Sequence, residues 1–122
     1  MIEVVEYDPG GGPIRARVFG DHGQAGSYTL FQWKAHENVI LLERKGNFIN
    51  SQDDAYDLDE GDHESQVVEA LVTCVVLPGI QRYGAHLQIL QGGAEIGHVR
   101  EADVAAPGTK TADLFCQLKA RT

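Results

Sequence analysis

Apolar residues along this chain recur mostly at every second position, in short runs separated by turn-forming residues. Alternation with a period of two is typical of strands that bury one face. Residues 13–20 and 112–120 show this alternation most clearly, and residues 2–7, 27–35 and 39–48 are similar runs rich in β-branched and aromatic side chains. The pattern predicts a protein built from strands.

Two stretches in the second half of the chain need their own interpretation. Residues 67–78, VVEALVTCVVLP, are apolar at odd and even positions, which predicts a central strand covered on both faces. A short helix is the alternative, because Glu, Ala and Leu are good helix formers. Residues 85–101 predict a hairpin with Gly92 and Gly93 as its two-residue turn.

These runs together indicate the fold class. About eight short strands with turn signals between them predict an all-β protein, a two-layer antiparallel β-sandwich of immunoglobulin-like, C2-like or jelly-roll kind. A small β-barrel is the alternative. The length of 122 residues suits a single domain over residues 1–122. Trp33 precedes both cysteines, so the Cys…Trp…Cys order of immunoglobulin domains is missing.

Negative charge is concentrated in one place. The formal net charge is −8, and residues 53–64, here called the acidic segment, carry seven carboxylates; without them the net charge would be −1. These are Asp53, Asp54, Asp57, Asp59, Glu60, Asp62 and Glu64. An acidic protein is a poor partner for nucleic acid and for anionic membranes, which bind through Lys and Arg.

The acidic segment is a candidate calcium site, because Ca²⁺ prefers carboxylate oxygens on loops. Its candidate ligands are Asp53, Asp54, Asp57, Asp59 and Asp62. The spacing from Asp57 resembles the start of an EF-hand loop, but the fifth position is glycine and the glycine required next is Asp62. We therefore prefer a solvated surface connection, in which Tyr56 and Leu58 belong to a short strand pinned to the core.

The histidines offer a weaker metal signal. There is no HExxH motif, and His86 and His98 lie on the two arms of the predicted 85–101 hairpin. A regular hairpin around Gly92 and Gly93 places these two side chains on opposite sheet faces. They then cannot bind one ion, unless a β-bulge shifts the register.

The two cysteines, Cys74 and Cys116, lie inside apolar runs without CxxC spacing. Buried thiols acting as small hydrophobic side chains are the expected state, with a single disulfide as the alternative. Phosphate-loop and GxSxG motifs are also missing from the sequence. The sequence thus predicts no cofactor and no catalytic group.

One pair of aromatic residues bears on binding. Phe31 and Trp33 share a strand face opposite Tyr28 and Leu30, so one of these two faces is core. The other face could stack against a ligand.

The function predicted from these features is that of a non-enzymatic interaction module, which binds a protein partner or itself through the acidic segment or a sheet edge. The alternative is a calcium-dependent, C2-like binding domain that uses residues 53–64. A third hypothesis is an enzyme whose active site lies in a cleft between the sheets. No apolar run reaches the ~20 residues that span a bilayer, and the N-terminus does not resemble a signal peptide, which predicts a cytoplasmic location.

Overall fold

Nine strands make up most of the chain. A computed structural model describes residues 3–21, 24–48, 54–59 and 61–122. The strands are β1 (Glu3–Tyr7), β2 (Ile14–Gly20), β3 (Ala25–Lys34), β4 (Val39–Asn47), β5 (Ala55–Asp57), β6 (Val67–Val76), β7 (Arg82–Gln91), β8 (Ala94–Val104) and β9 (Gly108–Ala120). A 3₁₀ turn at Ala35–Glu37 joins β3 to β4. No helix in the described ranges has the length and apolarity needed to cross a membrane.

The strands form two sheets, which confirms the all-β prediction and agrees with a β-sandwich. One sheet has five strands in the order β1-β9-β6-β3-β4, and the other has four in the order β5-β2-β7-β8. Over the described residues no closed barrel is found. The additional strand is β5, the short strand that Tyr56 and Leu58 predicted within the acidic segment; it covers Ala55–Asp57, and Leu58 follows it as a buried residue.

Not every strand pair is antiparallel. β1 pairs with β9 in parallel, with Val5 beside Leu118, whereas all the other pairs are antiparallel as predicted. The direction of this edge strand was not predicted, because the alternation of apolar residues is the same in either direction. The partner of a short N-terminal strand depends on the whole topology.

The core lies between the two sheets and is made by the inward side of each alternating run. The five-stranded sheet contributes Leu30, Val72, Leu114 and Leu118, and the four-stranded sheet contributes Val18, Leu87 and Ile89. All of these side chains are at most 2% exposed. Burial of this kind, at roughly 25 cal/mol per Å² of apolar surface, is the main term that stabilises the fold.

Residues 67–76 of the predicted 67–78 run form a strand rather than a helix, but one expectation about it was wrong. β6 lies between β9 and β3, yet only one of its faces is covered. Val72 is fully buried, whereas its neighbour Leu71 is 39% exposed. The apolar residues on the second face therefore do not belong to the core, because a two-layer sandwich covers each sheet on its inner side alone.

Two hairpins are present, one of which is the hairpin predicted for residues 85–101. β3 and β4 pair antiparallel around the Ala35–Glu37 turn. β7 and β8 pair around Gly92 and Gly93, whose φ angles of 60° and 79° are those that a two-residue turn of this type requires.

The two cysteines are free and buried, as predicted for small hydrophobic side chains. Cys74 pairs with Lys110, and Cys116 pairs with Val68, at opposite ends of the β6–β9 ladder. Six residues of strand separate the two rows, about 20 Å at the usual rise, which is far beyond bridging distance. Burial raises the pKa of the Cys116 thiol to about 12.

Candidate functional site

The carboxylates predicted as calcium ligands point to different partners. Asp54 accepts a hydrogen bond from the Tyr28 hydroxyl through Oδ1 at 2.7 Å. Asp57 forms an ion pair with Arg15, with Oδ1 3.0 Å from Nε. Asp53 lies outside the described residues.

The second half of the acidic segment is held mainly through its backbone. The Asp59 amide donates to Gln32 Oε1 at 2.7 Å, and its side chain is exposed. Asp62 Oδ1 accepts a hydrogen bond from the Glu64 amide at 3.0 Å and a longer one, 3.4 Å, from the Tyr7 hydroxyl. The Asp62 carboxylate therefore caps a turn and accepts a hydrogen bond from a tyrosine.

Two buried glutamines anchor this segment to the core. Gln32 on β3 is fully buried, and its Nε2 donates to Gln66 Oε1 at 2.8 Å. Gln66 in turn donates from Nε2 to the carbonyl of Asp62 at 2.9 Å. A buried amide that lacked these partners would cost about 1–3 kcal/mol. The alternating pattern of β3 contains a polar residue at this inward position, a signal for a buried polar contact that our sequence interpretation missed.

Within residues 54–59 and 61–64 the geometry does not gather the predicted ligands around one point. Among the described residues there is no group of three or more His, Cys, Asp or Glu side chains arranged to hold a metal ion. Calcium binding by residues 53–64 stays a prediction, and thermal melting with calcium and with EDTA measures it.

The side of the five-stranded sheet that faces away from the core carries a patch of large apolar side chains, here called the outer face. It consists of Phe31, Trp33, Ile40, Val67, Leu71 and Phe115, which strand alternation and register place on that side. Val75 lies on the same side, beyond a polar row formed by Ser27, Thr73 and Thr111. Ile40, Leu71, Val75 and Phe115 are each 38–46% exposed. Soluble monomers rarely leave large contiguous apolar surface in water, which makes the outer face a candidate binding surface.

A carboxyl group sits in the middle of the outer face. Glu69 on β6 pairs with Phe31 on one side and with Phe115 on the other. Its Oε1 accepts a hydrogen bond from the indole Nε1 of Trp33 at 3.1 Å. Burial, then a hydrogen bond to Asp113 and the negative charge of Asp113, raise the pKa of Glu69 to about 7, against the lowering effect of the hydrogen bond from Trp33. The carboxyl therefore titrates near neutral pH.

These groups line a shallow depression. It has a volume of about 310 Å³, and Trp33, Glu69, Asp113 and Phe115 contribute to its walls together with Asn38 and Val67. Its chemistry combines aromatic rings with two carboxyl groups. Such a site favours a cation that carries an apolar stem, because the rings and the carboxylates both attract positive charge. A single glutamate inside the apolar run VVEALVTCVV was the signal that could have located it.

The histidines contradict one prediction made from the sequence. The hairpin is regular at Gln91–Ala94 and Leu90–Glu95, but the register then shifts by one residue, so that His98 faces Gln88 and His86 faces Arg100. This β-bulge puts His86 and His98 on the same sheet face, with Nδ1 of His86 2.8 Å from Nε2 of His98. The expectation that they point to opposite faces was wrong, because a bulge leaves no signal in the apolar pattern here.

Comparisons with known proteins add no assignment. No protein-family model matches this chain, and no curated protein or solved structure shows significant similarity to it.

Proposed function

We propose that this protein is a non-enzymatic interaction module, which binds a protein partner through the outer face of its five-stranded sheet. The observation that carries the proposal is the position of Glu69 between Phe31 and Phe115, beside Trp33 and Asp113. A partner that presents a basic side chain surrounded by apolar residues matches this chemistry.

Burial energetics support the choice of surface. Leu71 and Phe115 are more than a third exposed, and the register makes them diagonal neighbours, because Leu71 pairs with Asp113 and Phe115 pairs with Glu69. Covering them removes apolar area from water at roughly 25 cal/mol per Å². Aromatic residues are also enriched where interfaces concentrate their binding energy.

The carboxyl groups on the outer face favour a different protein, and not a second copy of this chain, as the partner. A two-fold contact centred on this surface brings the Glu69 and Asp113 carboxyls of both copies together, and like charges at a desolvated contact are unfavourable. A Lys or Arg from a different protein instead compensates both carboxyls and stacks on Trp33 or Phe115. The net charge of −8 also attracts a basic partner over a distance.

The proposed location of the protein is the cytoplasm. Cys74 and Cys116 are free thiols in a chain of 122 residues whose core needs no covalent link. Free buried thiols suit a reducing compartment, where disulfides are rare.

Selection of peptides from a random, surface-displayed library tests the proposal. The wild-type chain is expected to enrich peptides in which Lys or Arg is flanked by apolar residues. Their affinity is expected to fall in E69Q, in D113N and in F115S, and to fall with rising salt concentration. D103N is the matched control, because it also removes one negative charge and Asp103 is an exposed carboxylate on β8 of the other sheet. Enrichment of peptides without basic residues, or equal binding by E69Q, F115S and the wild type, contradicts the proposal.

A further inference from the structure

Two imidazole rings and two carboxylates form a chain of contacts on the exposed side of the four-stranded sheet. His86 on β7 has its Nε2 2.6 Å from Oδ1 of Asp21, and its Nδ1 faces Nε2 of His98 at 2.8 Å. His98 on β8 has its Nδ1 3.4 Å from Oε1 of Glu95. Each ring thus turns one nitrogen to a carboxylate and the other nitrogen to the partner ring.

Packing fixes one ring more firmly than the other. Phe19 on β2 lies against His86 with the ring centroids 4.5 Å apart and the planes within 2° of parallel. The His86 side chain is 10% exposed, whereas that of His98 is 35% exposed. His86 is therefore the fixed member of the pair, and His98 is the member that can adjust.

The contacts determine where the protons lie. A carboxylate 2.6 Å from Nε2 requires a hydrogen on that nitrogen, so Nδ1 of neutral His86 presents a lone pair. His98 then donates from Nε2 to this lone pair, and its own Nδ1 faces Glu95. When the proton of neutral His98 moves from Nε2 to Nδ1, this N–H faces the Glu95 carboxylate, which can accept a hydrogen bond from it. The lone pairs of His86 Nδ1 and His98 Nε2 then point at the same space.

We infer that His86 Nδ1 and His98 Nε2 are the protein ligands of one transition-metal ion, such as Zn²⁺, Ni²⁺ or Cu²⁺. Neutral imidazole suits these ions, whereas Ca²⁺ and Mg²⁺ prefer oxygen ligands. Asp21 and Glu95 accept the remaining N–H of each ring, which is the usual arrangement behind metal-bound histidines. Among the described residues no third His, Cys, Asp or Glu side chain joins this pair in a metal-binding group, so the positions that protein ligands leave open are available to water.

The distances require only a small adjustment. Zinc–nitrogen bonds of about 2.0–2.1 Å at a tetrahedral angle separate two ligand nitrogens by about 3.3 Å. The two nitrogens are 2.8 Å apart in the hydrogen-bonded pair, so they must separate by about 0.5 Å. The exposed ring of His98 can make this movement while Phe19 holds His86. Metal binding releases no net proton from the neutral pair, because the proton of His98 moves from Nε2 to Nδ1.

Isothermal titration of the full chain with ZnCl₂ tests this site. The wild type is expected to bind one equivalent of zinc, and H98A is expected to weaken that binding at least tenfold. D21N and E95Q are expected to weaken it about tenfold, in keeping with the effect of residues that orient metal ligands. H36A is the matched control and is expected to bind as the wild type does, because His36 lies in the turn between β3 and β4.

Nitrogen-15 NMR of the imidazoles gives a second readout that does not depend on affinity. Before zinc is added, His98 is expected to carry its proton on Nε2; with zinc bound, the proton is expected on Nδ1. Equal zinc binding by H98A and the wild type, loss of binding in H36A, or no binding at millimolar zinc would overturn the inference. So would an unchanged His98 tautomer in a zinc-bound sample.

Discussion

The indole Nε1 of Trp33 donates a hydrogen bond to Oε1 of Glu69 over 3.1 Å, between two strands whose apolar neighbours face away from the core. This contact places a carboxyl group where water is partly excluded, and burial is the main cause of its raised pKa of about 7. Both the proposed binding surface and the first prediction depend on it.

Glu69 should make stability fall as the pH rises through neutrality. Its folded pKa lies above the unfolded value of 4.5, so the native state binds more protons between these values. The favourable contribution is complete below about pH 4.5 and is lost as the pH rises through about 7. E69Q has no such titration, so it is expected to gain stability relative to the wild type between pH 5 and pH 8. The gain should be on the order of 1 kcal/mol, because partial solvation reduces the value of ~1.4 kcal/mol per pKa unit.

Urea denaturation of both proteins at each pH measures this difference. E43Q, which removes an exposed carboxylate from β4, is the control. If the E69Q and E43Q differences follow the same pH dependence, Glu69 does not have the raised pKa described here.

Substitution by serine at two adjacent residues of β6 should change the free energy of unfolding by very different amounts. L71S alters the outer face and is expected to change the free energy of unfolding by no more than about 0.5 kcal/mol, as exposed substitutions usually do. V72S buries a hydroxyl and leaves a cavity between the sheets, so it is expected to cost about 2–4 kcal/mol. Chemical denaturation at one pH compares the two. A large loss in L71S would mean that the outer face is covered in the folded chain.

The Tyr28 hydroxyl should stabilise the folded state more than an ordinary exposed hydroxyl does. It lies 2.7 Å from Oδ1 of Asp54 and 2.6 Å from the Tyr56 hydroxyl. Y28F removes both contacts and is expected to cost about 1–2 kcal/mol. Y56F removes one contact from a less buried residue and should cost less. Denaturation of the two variants and of the double mutant tests this, with hydrogen exchange at residues 54–59 as a local readout. Equal stability of Y28F and the wild type would show that the acidic segment is not anchored there.

Replacement of Gly97 by a residue with a side chain should destabilise the folded state. A Cβ atom at this position would overlap the side chain of Val5, which packs across from β1 to β8. G97A is therefore expected to cost about 1–3 kcal/mol through overpacking. G10A is the control, because a Cβ atom there meets only Asp8 at 3.8 Å.

A double-mutant cycle with V5A separates overpacking from other effects. Removing the Val5 methyl groups opens the space that the new methyl group needs, so G97A should cost less in the V5A background than in the wild type. Additive losses would mean that the clash with Val5 is not the cause.

Much of the fold could be predicted because it depends on local alternation. The runs 13–20 and 39–48 lie within a residue of β2 and β4, and Tyr28 and Leu30 form the buried face of β3 opposite Phe31 and Trp33. The prediction failed where a strand had apolar residues on both sides. For residues 67–78 the pattern cannot distinguish a face covered by the core from an exposed apolar face, because the residues are apolar in both cases.

The candidate sites depended on contacts between distant parts of the chain. Glu69 and Asp113 are 44 positions apart, and only the pairing of β6 with β9 brings them together. Likewise, the His86–His98 pair depends on one extra residue in β8, which changes every facing position beyond it.

The sequence by itself determined the all-β class, the hairpin turn at Gly92 and Gly93 and the burial of both cysteines. Local conformational preference and the period of apolar residues are sufficient for these features. The tertiary structure decided which apolar face stayed open, which direction β1 took and which carboxylates found partners. These outcomes depend on register and on the layer that covers each sheet, and neither is a local property of the chain.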